Sequence, residues 1–162
     1  MLAESLPTRV LFVCLGNICR SPTAHGIFEK MVNSAGHQER IKVDSCGTGG
    51  WHVGNPPDAR ATVEAAERGY DLSHLRARQL RSSDFLEFDY IVAMDRANLN
   101  DLRREQPENS NSKLVLFLAY GSANEYDEVP DPYYGGIDGF AQVLDLVEDA
   151  SAGLLRTLVN ED

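Results

Sequence analysis

Between Arg9 and Leu158, short apolar runs of strand character alternate with stretches of helical spacing, and that alternation leaves few folds open. Arg9 to Val13 is β-branched and apolar. After Pro22, Ala24, Ile27, Phe28, Met31, Val32 and Ala35 recur at helical intervals, and Gly36 makes a natural stop. Ile41 and Val43 alternate with charged neighbours between Arg40 and Ser45, and the Ala-rich stretch Pro57 to Arg68 ends at Gly69. Asp89 to Met94 reads as a buried strand, with a helix over Asp95 to Glu105 after it. Lys113 to Leu118 is the fourth strand, and Ile137, Phe140, Leu144, Val147, Leu154 and Leu158 stripe one face of a long final helix. Strands that alternate with helices need right-handed crossovers, so the expectation is an α/β fold: a four-stranded parallel sheet with about five helices on its two faces. A chain of 162 residues buries enough surface for this as one domain, residues 1–162.

Charge narrows the range of partners. The net charge of −10 repels nucleic acid and anionic membrane surfaces, so neither is expected as a partner. An anionic substrate would therefore need a local positive site. No apolar run approaches the ~20 residues of a membrane span, and Met1 to Thr8 lacks the charged and apolar regions of a secretory signal. Three cysteines do not make a disulfide framework and suit a reducing compartment, so the chain reads as cytoplasmic. No metal is expected, because Cys14 and Cys19 lack a second ligand pair at finger-like spacing. No cofactor is expected either. In Gly47-x-Gly49-Gly50, His52 stands where a dinucleotide fingerprint has its third glycine. Nothing in the sequence sets an oligomeric state.

The segment Val10-Leu-Phe-Val-Cys14-Leu-Gly-Asn-Ile-Cys-Arg20-Ser-Pro22 carries the chemistry. It runs from the carboxyl end of the first strand, where open parallel sheets bind ligands, into the first helix. Ser21-Pro22 reads as a capping hydroxyl with proline at the first helical position. The loop then closes on a helix N-terminus, whose free N–H groups and dipole favour an anion. Gly16 and Asn17 can adopt left-handed angles that curl the chain into a nest of N–H donors. Arg20 adds a planar fork matched to two phosphate oxygens, and the same positive field favours Cys14 as a thiolate. An isolated cysteine and arginine at this spacing more often are a buried strand end and a surface cation. The strand before, Gly16-Asn17 within and Ser21-Pro22 after reverse that judgement.

Phosphoryl transfer to Cys14 would expel an alcohol or phenol that needs a proton. Asp131, in Pro130-Asp131-Pro132-Tyr133-Tyr134-Gly135-Gly136, is the candidate donor. Alone it would read as a turn-forming aspartate. Together, Cys14 to Pro22 and Asp131 to Tyr134 resemble the low-molecular-weight protein tyrosine phosphatases, over roughly Thr8 to Leu158. That resemblance implies the flavodoxin-like three-layer sandwich, with Cys14 as nucleophile, Arg20 as phosphate ligand and Asp131 as acid and then base. It implies a phosphate-binding loop of Leu15, Gly16, Asn17, Ile18, Cys19 and Ser21, with the Ser21 hydroxyl supporting the thiolate. It also implies that Asn17, Ser21, Ser45 and His74 form a network holding the loop.

Trp51, Tyr133 and Tyr134 lie in the long loops, where aromatic walls would favour a flat aryl phosphate or simply anchor the loops. The resemblance sets Trp51 and Tyr133 beside the pocket; Tyr134 is the third cleft aromatic and can also point outward. Relatives acting on phosphoarginine generally resemble this pattern with threonine at position 18, so Ile18 points to phosphotyrosine. The implied partner is a phosphotyrosine protein, of which a tyrosine autokinase would be one. Cys19 could form a disulfide with oxidised Cys14 or pack within the loop; Cys46 reads as a small buried residue. His25, His37 and His52 read as surface or packing residues. An arsenate reductase on the same fold would need further cysteines, and none follows Cys46. A catalytically dead binding module would usually have lost Cys14 or Asp131.

Overall fold

The computed structural model describes residues 6–122, 126–133 and 137–160. In chain order its elements are β1 (Thr8–Cys14), α1 (Arg20–Ser34), β2 (Ile41–Gly47), α2 (Ala59–Glu67), α3 (Asp84–Glu87) and β3 (Tyr90–Ala93). α4 (Arg96–Glu105), β4 (Lys113–Leu116), a 3₁₀ turn (Phe117–Tyr120) and α5 (Ile137–Val159) follow. The strands form one parallel sheet in the order β2-β1-β3-β4, as the alternation predicts.

Side chains of a strand alternate between faces, and β1 shows how both faces are covered. Val10, Phe12 and Cys14 join the core beneath α1 and α5, whereas Leu11 and Val13 join the one beneath α3 and α4. Phe12 anchors the first layer, with ring centroids 5.6 Å from Phe28 and 5.0 Å from Phe117. Full burial of such a side chain contributes about 1.5–3 kcal/mol. The result is the three-layer, flavodoxin-like arrangement.

The chain leaves β1 for β2 on one side and later returns to β3 on the other. That reversal opens a crevice at the carboxyl end of β1, where Cys14 sits in register with Gly47. A Cβ on Gly47 would lie 2.7 Å from the Leu15 carbonyl oxygen and 3.1 Å from the Asn17 nitrogen. Those atoms are backbone and cannot swing aside. Gly47→Ala is therefore expected to push the loop off β2 and cut any turnover at Cys14 by roughly 10²-fold, while thermal unfolding shows whether the fold persists.

Element boundaries differ from the sequence reading by a few residues. The short α3 carried too few residues for a periodic signal. α1 begins at Arg20, not Pro22, and its cap is Cys19 without a side-chain cap bond. Pro22 still lies in the first turn, where its missing N–H removes no helical bond. The Ser21 hydroxyl is therefore free for other work.

Candidate active site

The Cys14 sulfur is nearly buried and collects donors from its own loop. Asn17 donates its backbone N–H to Sγ at 3.3 Å, and the Ser21 hydroxyl lies 3.0 Å from it. Asn17 takes a φ of 57°, the left-handed conformation expected of it, which turns that N–H inward. Gly16 takes no left-handed angle. A Cβ there would instead lie 3.0 Å from the His52 ring, so the absence of a side chain serves the close packing of His52.

Asn17 also orients Ser21. Its Oδ1 accepts the Arg78 backbone N–H at 3.0 Å, which fixes the amide so that Nδ2 donates to Ser21 Oγ at 2.7 Å. With that donor on its oxygen, Ser21 has its own proton to give, either to the sulfur or to the Cys46 carbonyl 3.3 Å away. An anionic sulfur takes it, because a charge-assisted bond is the stronger.

Arg20 is buried and held from behind. Nη1 donates to Asp95 Oδ2 at 2.6 Å and to the Val129 carbonyl at 3.1 Å, and Nη2 lies 3.7 Å from Asp131 Oδ2. Burial opposes its charge, but Cys14, Asp95 and Asp131 more than offset that, so its pKa stands above the ordinary value. Asp131 Oδ1 accepts the Tyr133 N–H at 3.0 Å, which fixes the carboxyl at the lip. Arg60, at the start of α2, braces this segment by donating to the Tyr133 carbonyl at 3.0 Å.

These groups surround a cleft of about 310 Å³, lined by Cys14 to Gly16, Ile18 to Arg20, Trp51, His52, Asp131 and Tyr133. Trp51 is 72% exposed and Leu15 44% exposed, a large apolar rim beside a charged floor. Tyr134 lies outside the described residues. Cys19 packs with Ala61 and Phe140. Burial, then Asp58, Cys14 and Asp131, push its thiol up to about 12, and burial likewise raises Cys46. Both therefore keep their protons at neutral pH, so iodoacetate is expected to modify Cys14 alone, which peptide mass mapping would check.

One expected member of the supporting network is elsewhere. The His74 side chain is 59% exposed, with Nδ1 4.0 Å from Asp71 on the surface, while the neighbouring Leu75 turns toward the core. Ser45 instead meets His25, whose Nδ1 lies 2.9 Å from its hydroxyl. No local spacing points from His25 to Ser45, because the two lie 20 residues apart in sequence. Asp95 and His52 were missed as well. Asp95 follows the end of β3, a position where ligand-site residues collect, and His52 adjoins Trp51.

A family model for low molecular weight phosphotyrosine protein phosphatases matches residues 9–162. The chain belongs to that family. A low molecular weight phosphotyrosine protein phosphatase of Schizosaccharomyces pombe is 48% identical over 151 residues, covering 93% of this chain and 96% of its own. The crystal structure of YfkJ from Bacillus subtilis matches with a TM-score of 0.91 at 38% identity, covering 99% of each chain. That of a Drosophila arginine phosphatase matches with a TM-score of 0.88 at 32% identity, covering 94% of this chain and 99% of its own. In this phosphatase the cleft at Cys14 is the candidate active site.

Proposed function

We propose that the enzyme hydrolyses phosphotyrosine in proteins through a phosphocysteine on Cys14, without a metal ion. The observation that carries this reading is the convergence on one cleft of Cys14 with its two donors, the anchored Arg20 and Asp131. The Cys14 thiolate attacks phosphorus as Asp131 gives its proton to the departing phenol oxygen. Asp131 then takes a proton from water, which attacks phosphorus and returns the sulfur as a thiolate stabilised by Ser21. Arg20 and the loop N–H groups hold the equatorial oxygens through both steps, the electrostatic work that a metal would otherwise do. The Cys14 sulfur must stay unoxidised between turnovers, which suits a reducing compartment such as the cytoplasm.

An arginine phosphatase shares the fold, so the fold does not choose the substrate. Ile18, with Trp51 and Tyr133, makes apolar and aromatic walls that suit a flat phenyl ring better than a guanidinium. Phosphotyrosine proteins are the proposed partners, including any tyrosine autokinase that bears the modification. Release of phosphate from phosphotyrosyl peptides should exceed that from phosphoarginine and persist in a chelator; loss in the chelator, or the reverse preference, contradicts the reading. Asp131→Ala should lower turnover of phosphotyrosine by ~10²–10⁴ while the protein still binds it. The loss should be smaller with p-nitrophenyl phosphate, whose leaving group needs little protonation.

A further inference from the structure

We infer that His25 is a positioning residue of the phosphate loop, acting through Ser45; this rests on the phosphatase reading of the loop. His25 lies one turn beyond Ser21 on the same face of α1. The two meet consecutive residues of β2: the Ser21 hydroxyl lies 3.3 Å from the Cys46 carbonyl, and His25 Nδ1 lies 2.9 Å from Ser45 Oγ.

The His25–Ser45 bond closes a circuit. Asn17 Nδ2 donates to Ser21, and α1 carries Ser21 to His25. His25 meets Ser45, whose N–H donates to its neighbour Asp44 at 2.8 Å. Asp44 Oδ2 accepts from Arg78 Nη2 at 3.0 Å, and the Arg78 backbone N–H returns to Asn17. The loop that bears Cys14 is thus tied to β2 from both of its ends. Without His25, the α1 side of that circuit rests on the long Ser21–Cys46 contact.

His25 is itself held in place. Its side chain is 9% exposed, and Nε2 lies 3.7 Å from Glu29 Oε2. The nearby His25 ring holds the Glu29 carboxyl below its ordinary pKa. With Glu29 beside Nε2, a neutral ring keeps its proton there and accepts from Ser45 through Nδ1; a protonated ring donates from Nδ1 instead. The Ser45 bond survives either way, so the role is mechanical and not a pH switch. Packing alone would not need an imidazole here, and without it the nearly buried Ser45 hydroxyl would lose this partner.

The test compares His25→Ala, His25→Asn, Ser45→Ala and the His25→Ala/Ser45→Ala double variant. Readouts are kcat on p-nitrophenyl phosphate, the iodoacetate alkylation rate of Cys14 at fixed neutral pH, and thermal unfolding. His25→Ala and Ser45→Ala should each lower kcat and alkylation about tenfold, within the range that small misplacements cost. The double variant should be no worse than either, since both remove one bond. His25→Asn puts an amide atom where Nδ1 stands and should keep both rates within about threefold of the parent. Alkylation and kcat that stay at parental values while only the melting temperature falls would make His25 a packing residue and overturn the inference. So would an asparagine variant as impaired as the alanine one. Should His25→Ala fail to fold, Ser45→Ala decides by the same two rates. A parent enzyme that cleaves no phosphomonoester, yet whose alkylation responds to His25 as stated, would count against the phosphatase reading and not against this one.

Discussion

Cys14→Ser is expected to lose at least ~10⁴-fold in turnover, to the limit of detection, while its melting temperature stays close to that of the parent. Cys14 is nearly buried, and its neighbours Asn17 and Ser21 can bond an oxygen as readily as a sulfur, so the fold should tolerate the exchange. The chemistry should not. An alcohol is far too weak an acid for a few dipoles to hold it ionised near neutral pH, and an unionised oxygen is a poor nucleophile toward phosphorus. The variant should still bind the phosphate of a substrate through Arg20 and the loop. Substrate trapping with phosphotyrosyl peptides, read beside the lost turnover, would separate a missing nucleophile from a missing site. Full activity in Cys14→Ser would remove the covalent step from the mechanism.

Arg20→Lys carries the second large effect. Lysine keeps the charge but has one nitrogen where Arg20 has several. It cannot hold Asp95 and Val129 from behind while offering a fork to the phosphate. Turnover should fall by ~10²–10³, the usual consequence of removing a donor aimed at developing charge. Inorganic phosphate should also become a weaker inhibitor. Some stability goes as well, because Asp95 and the Val129 carbonyl lose partners in a partly buried place, at a cost of about 1–3 kcal/mol. Unchanged kcat together with a lowered melting temperature would assign Arg20 to the scaffold alone.

Much of this was legible in the sequence, for identifiable reasons. The strands read correctly because β1 and β3 are short, apolar and bounded by turn residues, and α5 because its apolar stripe runs for many turns. The loop from Cys14 to Arg20 read correctly because its chemistry is contiguous. Ser21 was misread as a cap, since sequence shows the helix-start pattern but not which neighbour the hydroxyl prefers; Cys14 and Cys46 stand closer. His74 was misplaced for a related reason. A one-residue difference in a turn decides whether a histidine or its neighbour faces inward, and here Leu75 does. His25, Asp95 and Arg60 act on residues far along the chain, so no local spacing announces them. Their roles follow from the β2-β1-β3 order, which brings α1, the end of β3 and the start of α2 to one crevice.

With Cys14 as nucleophile, phosphate rests covalently on its sulfur during turnover. Rapid acid quenching of the Asp131→Ala enzyme during reaction with p-nitrophenyl phosphate, followed by peptide mass spectrometry, tests it most directly. A phosphoryl group is expected on Cys14, accumulating because water lacks its base. A phosphoryl group on another residue, or turnover with none bound to the protein, would contradict it.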